Sequence, residues 1–253
     1  MKIAILGYGK MGHEIEQIAL DRGHEIVLKI AEENLGENTI ENIAQADVAI
    51  EFSGPESALS NILRCFDAGV PVVSGSTGWQ HRLNEAIDAC TKHGHAMIWA
   101  SNYSVGVNLF FALNEKLAEL MRDYSDYIPH IKEIHHTQKL DAPSGTAITL
   151  AEQVLATQSR LTKWITGTSA AADELPIESE RTGNVPGTHQ VRYSSAIDTI
   201  EILHTAHNRR GFALGAVLAA EFLQGRTGVY TMKDVLKLNH RPPVNESHIK
   251  KNI

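Results

Sequence analysis

The sequence predicts an α/β chain in two parts: a doubly wound parallel sheet with helices on both faces, then an α+β unit with an antiparallel or mixed sheet. Two observations carry this expectation. Over the first hundred residues, five short apolar runs alternate with stretches of helical spacing, the βαβ beat of a parallel sheet buried on both faces. After Asn102-Tyr103-Ser104 the beat breaks and strand-rich sequence with few helices follows.

Taken in order, the apolar runs place strands at 2–6, 25–31, 46–52, 70–73 and 96–99, with helices at 11–21, 56–68 and 80–92 between them. The crossovers are expected to be right-handed. The segment joining the second and third strands is short and polar and receives no assignment. Beyond residue 104, spacing predicts a helix over 108–121, an extended stretch over 127–136 and a helix over 145–156. The polar section 157–184 reads as loop with some strand, and further strands are expected at 188–193 and 196–205. Helices at 211–223 and 232–236 close the ordered part, and spacing does not decide which half they join. The tail from Asn239 is polar and proline-broken, and is expected to be loosely held.

Composition excludes several classes of protein. An apolar fraction of 43% and a charged fraction of 21% are ordinary for a globular chain of 253 residues. A net charge of -7 leaves no basic footprint for nucleic acid, so any anionic ligand needs a locally positive site. Cys65 and Cys90 fall inside predicted helices and read as small buried hydrophobes rather than a disulfide. The chain opens directly on a strand, without a targeting segment. Its most apolar later stretch, from Gly211, is too short to span a bilayer and contains Glu221, so a cytoplasmic protein is expected.

The first strand runs straight into "GYGKMG", with Gly7, Gly9 and Gly12 in a G-x-G-x-x-G pattern around Tyr8, Lys10 and Met11. The first glycine permits a tight turn, the second lets a pyrophosphate approach the backbone, and the third lets helix and strand pack closely. Glu32, twenty positions after Gly12, ends the second strand where a carboxylate would hold ribose hydroxyls. Three further loops leave the carboxyl ends of strands, where a dinucleotide would lie. They carry Phe52 and Ser53, then Gly75, Ser76 and Thr77, then Ala100, Ser101, Asn102 and Tyr103. Glu33 beside Glu32 argues for NADH over NADPH, with Lys29 as a partial counterweight.

The densest chemistry lies in "EIHHTQKLDAPSGTA", residues 133–147. In an extended segment consecutive side chains point to opposite faces, so one of His135 and His136 reaches a site while the other flanks it. Lys139 follows on a loop with a flexible stem. Ser144 fits a helix N-cap, leaving the N–H groups of Gly145 and Thr146 as an anion site. Asp141 either orients a cation or caps the turn. Three competing readings are weaker. A metal held with His204 or His207 lacks an acid or cysteine at zinc-like spacing. Lys139 and Asp141 could also form only a solvated turn. A nucleophilic Ser144 lacks the strand–nucleophile–helix elbow.

This stretch resembles the signature of the 4-hydroxy-tetrahydrodipicolinate reductase (dihydrodipicolinate reductase) family of lysine and diaminopimelate biosynthesis. "GYGKMG", "EFSGPES", "GSTGW", "ASNYSVGVN", "GNVPGTH" and "YTMKDVL" resemble further family blocks in the same order. The resemblance implies a Rossmann-type domain, 1–104 completed by C-terminal helices within 209–240, that binds NADH or NADPH. It implies a substrate-binding and tetramerisation domain with an open sheet over 105–208, and a polar tail over 241–253. The substrate would be a small cyclic dicarboxylate, reduced by hydride transfer in a homotetramer. By matching position His135 would give or take a proton and Lys139 would donate one. His136, Gly145 and Thr146 would bind a substrate carboxylate, with Ser144 beside them. The residues leave open which of His135 and Lys139 donates. Three departures from the family pattern, the tight glycine loop, Gly54 and Glu33, all fall on the nucleotide side. The alternatives are a related dehydrogenase of another imino or amino acid, or a nucleotide-binding protein without catalysis.

Overall fold

The computed structural model describes residues 1–168, 171–208 and 210–238, and the tail from Asn239 lies outside the described residues. Chain order in the first part is β1 (Lys2–Leu6), α1 (Lys10–Asp21), β2 (Glu25–Ile30), α2 (Ile40–Ile43), β3 (Val48–Glu51), α3 (Ala58–Asp67), β4 (Val72–Ser74), α4 (Leu83–His93) and β5 (Ala96–Trp99). The polar segment left without assignment forms a 3-10 turn, Glu32–Glu37, and the single turn α2. The second part runs α5 (Val105–Met121), β6 (Ile128–His135), α6 (Gly145–Thr157), β7 (Lys163–Thr166), β8 (Glu174–Arg181), β9 (Thr188–Ser194) and β10 (Thr199–Thr205). Then come α7 (Arg210–Leu223), β11 (Gly228–Tyr230) and α8 (Met232–Val235).

The first sheet has the order β11-β5-β4-β3-β1-β2, with every neighbouring pair parallel. Its central strand β1 shows why the run is uninterrupted by polar residues. Ile3 and Ile5 enter one core with α1 and α7, and Ala4 and Leu6 enter the other with α3. A strand buried on both faces cannot alternate polar and apolar side chains. Cys65 and Cys90 lie buried and unpaired in the second of these cores.

The second sheet is mixed. Its order is β10-β9-β6-β8-β7, with β9 antiparallel to both β10 and β6, and β8 parallel to both β6 and β7. One face packs on α5 and α6 through Phe110, Ala118, Leu150 and Val154 against Ile131, Ile177, Val191 and Tyr193.

Differences from the sequence reading have local causes. Helix α5 begins at Val105 rather than 108, because the Ser104 hydroxyl accepts the Val107 N–H at 3.3 Å as an N-cap. Strand β10 begins at Thr199 rather than 196, because the Ser195 N–H donates to the Asp198 carbonyl and closes a turn there. The polar section 157–184 contains two strands: β8 pairs with β6, distant in sequence, and β7 pairs with β8. Strand β11, three residues long, was not anticipated at all.

Helix α7 does return to the first sheet, and glycine decides how closely. A Cβ at Gly215 would lie 1.7 Å from the Tyr103 carbonyl oxygen, so helix and loop touch backbone to backbone. The exposed end of α7 is tied by Glu221, which accepts from Arg22 at 2.7 Å and sits 2.8 Å from His24. Gly215→Ala should therefore destabilise by about 2–3 kcal/mol, overpacking outweighing the roughly 1 kcal/mol that alanine gains in a helix. Urea unfolding checks this: the midpoint falls at unchanged slope. A midpoint at or above that of the parent would mean that α7 does not pack this closely.

Candidate active site

The glycine loop meets the steric demands of its pattern. Gly7 has φ +102°, and a Cβ there would come within 2.3 Å of the Phe52 carbonyl oxygen, so the turn is closed to other residues. A Cβ at Gly12 would lie 2.7 Å from the Gly7 carbonyl, which is the close helix–strand approach. Gly9 faces open space, and it caps α1 without a side-chain hydrogen bond. The first-turn N–H groups of a twelve-residue helix thus look outward unshielded. Gly7, Tyr8, Gly9, Glu32, Glu33, Phe52, Ser53 and Arg64 are among the residues lining one cleft of about 710 Å³.

Under this cleft lies Glu51, fully buried at the end of β3. Its carboxylate accepts from the Ser53 backbone N–H at 2.9 Å and hydroxyl, from Ser74 Oγ at 2.6 Å and from Ser76 Oγ at 2.8 Å. One buried charge thereby fastens two loops together. The serines of those loops, Ser53 and Ser76, point at Glu51, so their contribution to a ligand would come through backbone. Gly75 is needed because the Phe52 ring lies on it, within 2.2 Å of where a Cβ would be. Thr77 stays exposed.

Other expected residues are placed differently. The Tyr8 hydroxyl bonds to Glu16, and Lys29 binds Glu16 at 3.2 Å while lying over the Tyr8 ring, so Lys29 is committed and is no free counterweight to Glu33. Lys10 is exposed at the helix start, whereas Met11 packs into the core. The Tyr103 side chain is fully buried, its hydroxyl donating to the Ser74 carbonyl at 2.8 Å, and only its backbone remains for a ligand. Ala100 pairs back through its N–H to the Ser74 carbonyl, and Ser101 is exposed.

The second edge begins where β6 ends. Alternation along β6 puts Glu133 and His135 on the buried face, and His136, just past the strand, stays half-exposed. Glu133 Oε2 meets His135 Nδ1, and Glu133 Oε1 accepts from Arg181 at 2.7 Å and from the Ser144 N–H at 3.3 Å. Burial pushes the Glu133 carboxyl up, but bonds from His135, Arg181 and Ser179 outweigh it and bring it down to about 2. His189, directly opposite Glu133 on β9, stacks edge-on against His135 with centroids 5.1 Å apart. Burial, then the neighbouring His135, depresses His189 to about 3, so it is a neutral ring.

Ser144 caps α6 by accepting the Ala147 N–H at 3.2 Å, and its hydroxyl lies 3.1 Å from His189 Nε2. Its side chain is therefore spent internally. Gly145 is exposed, Thr146 half-exposed, and their N–H groups open α6. Lys139 is held by both oxygens of Asp141 at 2.8 Å, and Arg181 reaches the Asp141 carbonyl at 2.6 Å. The two edges come together at a contact from Asn102 Nδ2 to Thr146 Oγ1 at 3.5 Å.

The acid missing from the metal reading exists, since Glu133, His135 and His189 lie together, without His204 or His207. A cation there would have to displace the Arg181 guanidinium and break the contact between Glu133 and His135. The contacts of Glu133 with His135 and Arg181, and of His189 with Ser144, account for all three side chains instead.

With this geometry in place, the comparisons are specific. Residues 1–103 match the family model for the dihydrodipicolinate reductase N-terminus and residues 106–236 that for its C-terminus. The chain belongs to the dihydrodipicolinate reductase family. A 4-hydroxy-tetrahydrodipicolinate reductase from Christiangramia forsetii is 54% identical over 236 residues, covering 93% of this chain and 98% of that one. The dipicolinate-bound dihydrodipicolinate reductase from Paenisporosarcina sp. TG-14 shares the fold, with a TM-score of 0.74 at 21% identity over 91% of this chain and 97% of that one. A DAP dehydrogenase of C. glutamicum solved with DAP is more distant, at a TM-score of 0.53 and 13% identity over 100% and 99% of the two chains. No helix among the described residues is long and apolar enough to cross a membrane.

Sequence reasoning had given no role to Glu51, Arg64, Glu133, Arg181 or His189. Only Glu133 carried a local signal, standing two residues before His135 and so on the same strand face. The others become visible only when strands and loops distant in sequence are brought together.

The two shifted groups make the fold acid-sensitive. Between its ordinary value of 6.5 and about 3, His189 takes up a proton only in the unfolded chain, and between 4.5 and about 2 Glu133 does the same. Their contributions are complete at pH 7 and are lost as pH falls, first through His189 and then through Glu133. Urea unfolding from pH 7.5 down to 4 should show falling stability, with a smaller decline between pH 7.5 and 5.5 in His189→Asn. An equal decline in that variant would count against a buried neutral His189.

Proposed function

We propose that this chain catalyses the NAD(P)H-dependent reduction of 4-hydroxy-tetrahydrodipicolinate to tetrahydrodipicolinate, with NADH favoured, in the cytoplasm. The observation that carries this reading is the Asn102–Thr146 contact. It brings the start of α6 to the loop that follows β5 at the carboxyl edge of the parallel sheet. Residues 1–104 with 209–240 form the cofactor half, and 105–208 form the substrate half.

The cradle suits a dinucleotide because Gly9 is open, α1 has no side-chain cap and Gly7 holds the turn tight. The first turn of α1 receives the pyrophosphate and Glu32 the ribose hydroxyls. Glu33 lines the same cleft, so a 2′-phosphate would meet two carboxylates, with Arg64 as the opposing cation. A bound nicotinamide supplies the hydride. The N–H groups of Gly145 and Thr146 hold one substrate carboxylate, and His136 flanks it. In the net reaction the C4 hydroxyl leaves as water and the hydride takes its place, so one proton is consumed with that water; Lys139, or His135 through its Nε2, supplies it. Asp141, whose carboxyl is held down by the Lys139 hydrogen bond and stays anionic, keeps the ammonium at the loop.

The assembly is proposed to be a homotetramer. One face of the mixed sheet is open, and its edge strand β10 exposes Ile200 and Leu203, with Ile197 at the adjoining turn 89% exposed. Sedimentation equilibrium should return four chains, and Leu203→Glu should lower that number; a monomeric parent would reject the assembly.

A coupled assay tests the activity: pyruvate, aspartate semialdehyde and a dihydrodipicolinate synthase, with this protein and either NADH or NADPH. Substrate-dependent oxidation is expected, faster with NADH. Lys139→Ala should lower turnover at least 100-fold with NADH affinity unchanged, and Glu32→Ala should weaken NADH binding roughly tenfold. Folded protein that binds NADH but oxidises neither cofactor would reject the reductase.

A further inference from the structure

Glu133 is the most completely buried charge in the second sheet's site, with no exposure, and its partners are unusually specific. Oε1 takes the Arg181 guanidinium and the Ser144 N–H, which leaves Oε2 facing His135 Nδ1. A carboxylate can only accept there, so Nδ1 must carry the proton. Nε2, on the far edge of the ring, is left as the nitrogen turned to a substrate. Gly187 keeps that edge clear, because a Cβ at this position would stand 3.0 Å from Nε2. Neutral His189 stacks edge-on against the ring and adds no second donor to Oε2. Arg181 extends the same assembly to the loop of Lys139 by donating to the Asp141 carbonyl at 2.6 Å.

A residue needed only for packing would be better apolar, since a buried ion pair seldom stabilises more than well-packed hydrophobic side chains. We propose that Glu133 is a positioning residue: it fixes His135 as the Nδ1-protonated tautomer with Nε2 toward the substrate. Through Arg181 it also steadies the loop that presents Lys139. This rests on the reductase reading insofar as His135 acts on the substrate, whereas the tautomer itself does not depend on it.

Glu133→Gln separates the two roles. The amide oxygen keeps the Arg181 and Ser144 donors, so its NH2 group turns to Nδ1 and forces the proton to Nε2. The test combines the coupled assay with 15N NMR of histidine-labelled protein at pH 8, the His135 signal being assigned by its loss in His135→Gln. Expected are an Nδ1–H tautomer in the parent and Nε2–H in Glu133→Gln. Turnover should fall about 100-fold, with KM and NADH affinity within roughly threefold. A parent with the proton on Nε2 overturns the proposal, as does a variant whose tautomer flips while turnover stays unchanged. If Glu133→Gln does not fold, the parent's tautomer alone decides. A parent that shows Nδ1–H but no reductase activity rejects the proposed function and leaves the positioning of His135 standing.

Discussion

A carboxylate removed from water has to be met by donors, and each half of this chain is arranged around one such group. In the parallel sheet it is Glu51, which gathers two serine hydroxyls, a third from Ser53 and a backbone N–H at the strand ends. In the mixed sheet it is Glu133, met by Arg181, His135 and the residue that caps α6. Both stand at or near the carboxyl ends of their strands, where strand ends and the loops that leave them supply the donors. The charge therefore dictates where the loops go, and the loops are where ligand-facing groups lie.

The same economy explains why several side chains expected to touch a ligand do not. Ser53, Ser76 and Ser144 have polar atoms, but buried groups already claim them. Tyr103 is spent on the Ser74 and Ile98 carbonyls. What remains for a ligand is mostly backbone: the start of α1, the start of α6 and the loops between. An acidic chain can present anion sites this way, because helix N-termini are positive whatever the net charge.

Two of the positions expected from the resemblance to be departures share one cleft. Gly54 and Glu33 both line the cleft, and the cation there is Arg64, from α3. Lys29, nearer in sequence to the acids, is already bound to Glu16. In the second sheet, Glu133, Arg181, Ser144 and His189 are joined by hydrogen bonds and ring contacts to His135.

Much of this was legible in the sequence because local patterns report local constraints. The run Lys2–Leu6 announces a strand buried on both faces, G-x-G-x-x-G announces a turn that only glycine closes, and Ser144 before Gly145 announces a helix start. Those signals lie within a few residues of the structure they specify. Within 157–184 some strand was expected but could not be placed, because β8 is set by the distant β6 and β7 by β8, and β11 was not legible because it exists only by pairing with the distant β5. The candidate site divides in the same way. His135, Lys139 and the opening of α6 stand in one quoted stretch and could be read together. Arg181 and His189 reach Glu133 and His135 from β8 and β9, across register pairs between residues about fifty apart in sequence. By itself the sequence determined the elements that carry their own local signal and which chemistry is present. Tertiary structure alone decided which charge meets which, because a buried group's partners are set by sheet register and not by distance along the chain.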